Sequence, residues 1–202
     1  MNATLDLIAR GLEAAASYEE YFARMGSVAD GGEMYDNENQ NFYTKLNHQR
    51  MKRLNGTVKL ADDVVEAASH IGCDIRLLAI SEGWCGDAAQ VLPVLNLLVN
   101  RFDTLELGIV YRDEHPDLME AFLTNGSRSI PKVIMIERDT LQVLGNWGPR
   151  PRPAQDLFEI YRTSDPKQDY GTFQKELQKW YLRDRAEHIQ RELIGMLEGC
   201  RG

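Results

Sequence analysis

Cysteine is scarce in this sequence: three among 202 residues, Cys73, Cys85 and Cys200, at no regular spacing. Such a set builds no disulfide framework and fits a reducing compartment, so a cytoplasmic protein is expected. Histidine is scarce too. His48, His70, His115 and His188 are scattered without the spacing of metal ligands, and no metal site is expected. Long apolar runs are missing, since no stretch approaches the ~20 residues that span a bilayer. The leading segment MNATLDLIARGLEAAASYEEYF carries acids throughout and lacks both a basic n-region and a continuous apolar core, which is not the pattern of a signal peptide. Basic runs are missing as well. With 23 Lys and Arg against 31 Asp and Glu, the net charge is −8, so neither nucleic acid nor an anionic membrane is the expected partner. There is no internal repeat, and no oligomeric state is implied.

What remains is the composition of a globular protein, 43% apolar and 27% charged. The chain is organised around 75–98, IRLLAISEGWCGDAAQVLPVLNLL. A buried strand ends at Ser81-Glu82-Gly83. A helix follows, with Val91, Leu95 and Leu98 at helical spacing. Cys85 stands at the junction, where unpaired N–H groups and the helix dipole favour a thiolate. Before this segment the apolar spacing predicts helices over 4–24, 37–54 and 59–71. Gly26 and Gly31-Gly32 act as breaks, Phe42, Leu46, Met51 and Leu54 form an inward face, and Asn55-Gly56 is a stop. After it, strands are expected over 105–111, 132–137 and 141–147 and helices over 85–101, 115–123, 154–161 and 172–197, with RDRAEHIQRE as a solvated face. The first two strands, joined by a helix, are parallel, and the last two form an antiparallel hairpin. Gly148-Pro149-Arg150-Pro151-Arg152-Pro153 is a stiff loop.

This β-α-β-α-β-β-α order, with Trp84-Cys85-Gly86 at the first strand–helix junction, Pro93 eight residues after Cys85 and Ile130-Pro131 before the third strand, resembles the thioredoxin family. Trp-Cys-Gly-Asp-Ala with a downstream Trp-Gly-Pro-Arg-Pro is similar to a bacterial subgroup of it. The resemblance covers 74–161 and implies an α/β thioredoxin-like core over 73–163, with an N-terminal helical extension over 1–72 and a C-terminal one over 164–202. It also implies a helix kinked at Pro93, a cis peptide bond before Pro131 and a redox-active Cys85. The departures are specific. Where the family carries Cys-Gly-Pro-Cys, this chain has Cys85-Gly86-Asp87-Ala88, so the resolving cysteine is missing, and Ala79 stands where the family carries a buried acid. Cys73 lies roughly 20 Å or more from Cys85, at the far end of the strand. The Asp87 charge beside Cys85 raises the thiol pKa.

Topology gathers a candidate site at the carboxyl ends of the parallel strands. Cys85, Asp87 and Pro131 are the candidate catalytic residues. Trp84, Gly86, Ile130, Trp147, Arg112, Arg150 and Arg152 are candidate substrate-binding residues, the arginines as forks for carboxylates such as those of glutathione. Each also has a plainer reading: Asp87 as an acid in a first helical turn, Trp147 as packing, Arg150 and Arg152 as solvated or acid-paired. Three functions stay open. One is monothiol thiol–disulfide exchange at Cys85 with a protein or small-molecule thiol, glutathione being the candidate co-substrate and no resident cofactor expected. The second is a non-catalytic module that docks a peptide or protein in the Cys85/Pro131 groove. The third, by analogy with monothiol glutaredoxins, is ligation of an iron–sulfur cluster with glutathione, for which nothing else in the sequence speaks.

Overall fold

The apolar run that opens the central segment becomes an inner strand of a four-stranded sheet in the computed structural model, which describes residues 3–197. Cys200 lies outside the described residues. Strands β1 (Ile75–Ser81), β2 (Leu105–Tyr111), β3 (Lys132–Glu137) and β4 (Val143–Trp147) take the order β2-β1-β3-β4. As expected, β1 and β2 are parallel, from Ile75 opposite Leu105 to Ser81 opposite Tyr111. β3 runs antiparallel to β1, and β3 and β4 form the antiparallel hairpin. Every residue of β1 except Arg76 is buried, as suits a strand covered on both faces.

Helix α5 (Ala88–Val99) links β1 to β2 and is buried almost all round, with Val91, Leu92, Val94, Leu95 and Leu98 at or near zero exposure. It starts three residues later than expected. The stretch from Gly83 to Asp87 forms turns, in which the Cys85 N–H donates to the Glu82 carbonyl at 3.0 Å. Pro93 sits inside α5 and has no N–H to offer the preceding turn. Helix α6 (Pro116–Ala121) follows β2. Helix α7 (Arg152–Thr163) begins inside the stretch read as a stiff loop, because Pro153 falls in its first turn, where no backbone donor is needed. The peptide bonds before Pro131, Pro149 and Pro166 are cis.

The flanking helices correct the sequence reading in several places. The single helix expected over 4–24 is two, α1 (Ala3–Ala14) and α2 (Tyr18–Ala29). Between them Ala16 exchanges both backbone hydrogen bonds with Ile109, at 2.8 and 2.9 Å, and so covers part of the outer edge of β2. Ser17 and Glu20 then form a reciprocal capping box that starts α2. Gly26, expected to break a helix, lies inside α2, and a β-carbon there would sit 3.3 Å from His48 Nε2.

Helix α3 (Glu38–Thr57) runs past the expected stop, and Asn55 accepts a 2.7 Å hydrogen bond from the Tyr18 hydroxyl. Its inward face keeps Met51 and Leu54 as expected but not Leu46 or Phe42, which is 62% exposed, and it adds the fully buried Thr44 and Asn47. Helix α4 (Asp62–Ser69) is shorter than the expected 59–71. The final helix is also two, α8 (Tyr170–Asp184) and α9 (Glu187–Leu197), because Arg185 and Ala186 adopt positive φ of 53° and 67°. RDRAEHIQRE is therefore not simply a solvated face. Ala186, Ile189 and Gln190 are buried, and Gln190 binds the Ala61 N–H and the Lys59 carbonyl.

Candidate functional site

The turn between β1 and α5 is held from three sides. From the N-terminal side, α3 lies so close that a β-carbon on Gly83 would be 3.0 Å from Thr44 Cγ2, and the Asn47 amide donates to the Gly83 carbonyl at 3.0 Å. From β2, the Arg112 N–H donates to the Ser81 carbonyl and the Asp113 N–H to Glu82 Oε1, both at 3.0 Å. Glu82, 1% exposed, also accepts the Tyr35 hydroxyl at 2.6 Å, and that hydroxyl accepts the Gly83 N–H at 2.8 Å. Burial raises the Glu82 carboxyl above its ordinary range despite these donors and Arg112. From β3, the Ile130 carbonyl closes over the thiol. A β-carbon on Gly148, at φ +114°, would fall 2.2 Å from the Pro131 oxygen, so only glycine lets the two loops meet.

Cys85 is 7% exposed. Its Sγ donates to the Ile130 carbonyl at 3.3 Å and accepts weakly from the Ala88 N–H at 3.5 Å. Burial, with Asp87 second, pushes the thiol up to about 12, against the opposing pull of the Ala88 and Asp87 N–H groups and Arg150. The raising effect read from the Asp87 charge is present, but burial outweighs it. Asp87 is buried, with both oxygens engaged: Oδ1 accepts the Tyr181 hydroxyl of α8 at 2.8 Å, and Oδ2 pairs with Arg150 Nη2 at 2.8 Å. Burial holds its carboxyl above the ordinary range even so.

A cleft of about 320 Å³ opens over this turn. It brings together Trp84, Cys85, Gly86, Asp87, Arg112, Ile130 and Arg150 from the sequence-derived set. Pro131 lies directly behind Ile130 and is buried. Two members go elsewhere. The Trp147 indole N–H donates to Glu192 of α9 at 2.8 Å, and the Arg152 side chain, 81% exposed, pairs with Asp156. Neither lines the cleft. The walls also carry residues the motif did not point to: Tyr43 and Arg50 from α3, Arg128 and Ser129 before β3, and Tyr170, Gln174 and Gln178 from α8. A larger groove of about 660 Å³ crosses α1, α2 and β2, but its walls hold Glu13, Glu20, Glu106 and Arg76 and no thiol.

Cys73 is on the far side of β1 from Cys85, so among the described residues no second cysteine stands at the cleft. No group of three or more His, Cys, Asp or Glu able to hold a metal ion occurs among the described residues, nor does a helix long and apolar enough to cross a membrane.

Two solved structures share this architecture. One is an HIV epitope-scaffold, 20% identical, with a TM-score of 0.57 over 91% of this chain and 99% of the other. The second is a protein of unknown function from Pseudomonas aeruginosa, 21% identical, with a TM-score of 0.58 over 91% of this chain and 98% of the other. At these identities the likeness is one of fold. No curated protein matches the chain. A family model described as Thioredoxin matches residues 33–167, which takes in α3 as well as the sheet, the Cys85 turn and α7. By that match over more than half its length, the chain belongs to the thioredoxin family.

Proposed function

We propose that this protein acts through its cleft as a ligand-binding module, with Cys85 a protonated side chain of the cleft floor. One observation carries the reading: the thiol is buried, donates to the Ile130 carbonyl and is pushed up to about 12. A thiolate is the attacking species in disulfide exchange. An unperturbed cysteine is a few per cent thiolate at pH 7, whereas one at about 12 is ionised roughly a thousandfold less. Ala88 removes the resolving thiol as well. The extra helices suit a binding role, since α3 and α8 wall the cleft and narrow the approach to the sulfur.

Monothiol exchange remains the second reading because burial holds the Asp87 carboxyl above its ordinary range, which makes it easier to protonate. In that route Cys85 gives its proton to Asp87 and the thiolate attacks one sulfur of a substrate disulfide. The other sulfur leaves as a thiolate, and an external thiol such as glutathione releases the mixed disulfide.

Incubation of the full chain with oxidised glutathione at pH 7.5, followed by intact-mass and peptide mass spectrometry, separates the two. Binding without exchange predicts Cys85 unmodified after hours. A stoichiometric glutathione adduct at Cys85 would overturn it in favour of exchange.

A further inference from the structure

Three residues of the cleft wall carry a buried hydrogen-bond donor that has no acceptor. Trp84 Nε1, Arg150 Nε and Gln178 Nε2 are all buried and unpartnered, and all three residues line the cleft. The orientation of Gln178 is fixed, because its Oε1 accepts the Gln90 amide at 2.9 Å and the NH₂ group is thereby turned away from Gln90. Arg50 completes the set. Its Nη1 donates to Asn47 Oδ1 at 2.8 Å, and no carboxylate lies within ion-pair distance of it among the described residues. Both groups converge over the residue after the cysteine: a β-carbon on Gly86 would be 3.5 Å from Arg50 Nη1 and 3.6 Å from Gln178 Nε2.

Acceptors on the cleft wall do not balance these donors. Among the described residues Asp87 is the only carboxylate there, and both its oxygens are engaged. Four arginines line the same space; Arg112, Arg128 and Arg150 are paired with Asp113, Glu120 and Asp87, which leaves Arg50 as the one without an ion pair among the described residues. A buried N–H without an acceptor is destabilising, so several along one cleft wall favour a ligand that supplies acceptors. A guanidinium and a carboxamide that meet over bare backbone match an oxyanion, which accepts from both at once. About 320 Å³ holds a small molecule.

From this geometry we infer that the cleft is a site for a small organic oxyanion, a carboxylate or phosphate seated over Gly86 between Arg50 and Gln178, with the Trp84 indole N–H as a further donor. Arg50 lies on α3 and Gln178 on α8, so the site exists only where both flanking helices meet the thioredoxin-like sheet. The inference rests on the cleft being a binding site and names its ligand class. It does not need the thiol.

The test is a nitrogen-15 NMR titration of the full chain, as wild type and as Cys85→Ser. Sodium phosphate and sodium succinate are the probes, at constant ionic strength. The Trp84 indole and Gln178 amide resonances should shift saturably with at least one of them in both proteins. The Trp147 indole, held by Glu192, should stay in place. Arg50→Gln should weaken the response at least tenfold, and Gln178→Met provides a second variant should Arg50→Gln not fold. Phosphate alone, or succinate alone, identifies the anion class. No saturable shift with either probe, a shift that also moves Trp147, or one that both variants retain would overturn the inference. Because Cys85→Ser carries the titration, its failure is distinct from a glutathione adduct, which would instead sink binding without exchange.

Discussion

Burial decides the chemistry of Cys85, and Asp87 pushes in the same direction. Helix α5 supplies N–H groups that favour a thiolate, and Ala88 N–H does reach Sγ at 3.5 Å. Against this stand burial and a carboxylate two residues on, and together they win. Arg150 spends its charge on Asp87 at 2.8 Å instead of on the sulfur. Asp87→Asn therefore removes the repulsion and leaves Arg150 to favour the thiolate. The Cys85 pKa should fall, and the rate of alkylation by iodoacetamide at pH 8 should rise at least tenfold. The same change should cost about 1.5–3 kcal/mol in urea unfolding, the scale of a lost hydrogen bond to a charged group. An alkylation rate equal to wild type would show that Asp87 does not restrain the thiol. Part of this was legible in the sequence. Cys85, Asp87, Gly86 and Trp84 sit together because they are adjacent in a turn, and Arg150 follows from the return of β4. Arg50 and Gln178 were not legible, because nothing in a helical pattern says which polar residue lies over a distant turn.

At the scale of elements, α3 shows where hydrophobic spacing misleads. Phe42 and Leu46 have the spacing of an inward face, yet they point outward, because Thr44 and Asn47 are needed against the Gly83 backbone. The breaks at Ala15–Ala16 and at Arg185–Ala186 carry no glycine or proline, and no local signal marks the second. The first is marked by Ser17 and Glu20, which spell a capping box, although the apolar spacing runs on across it. The parallel pairing of β1 with β2 and the β3–β4 hairpin, by contrast, follow from short apolar runs and turn lengths, whereas nothing in those runs specifies the antiparallel pairing of β1 with β3. The packing of α2 on α3 gives a test of its own. His48 sits against Gly26 and the Phe22 ring, 4.4 Å away between centroids, and burial, with Lys52 second, lowers its pKa below 6.5. The unfolded chain then binds the proton more readily, so stability is lost as pH falls through 6.5 toward the folded-state value. His48→Gln should flatten the dependence of urea stability on pH between about 6.5 and 5. An unchanged slope would assign that dependence to other groups.

At the scale of the whole molecule, a thioredoxin-family sheet is wrapped on two sides by helices that reach its characteristic turn. α3 grips Gly83, α8 supplies Tyr181 to Asp87 and Gln178 to the cleft, and α9 ties back to the segment before α4 through Gln190. The wrapping makes the thiol a buried group and the turn a walled cleft. The most direct measurement is the titration of Cys85 itself in the full chain, with Cys73 and Cys200 replaced by serine, followed by thiolate absorbance at 240 nm. The wrapped, protonated thiol predicts no thiolate signal below about pH 10, well above the ordinary free-thiol value. A midpoint at or below ~8.5 would contradict it and restore Cys85 as an exchange nucleophile.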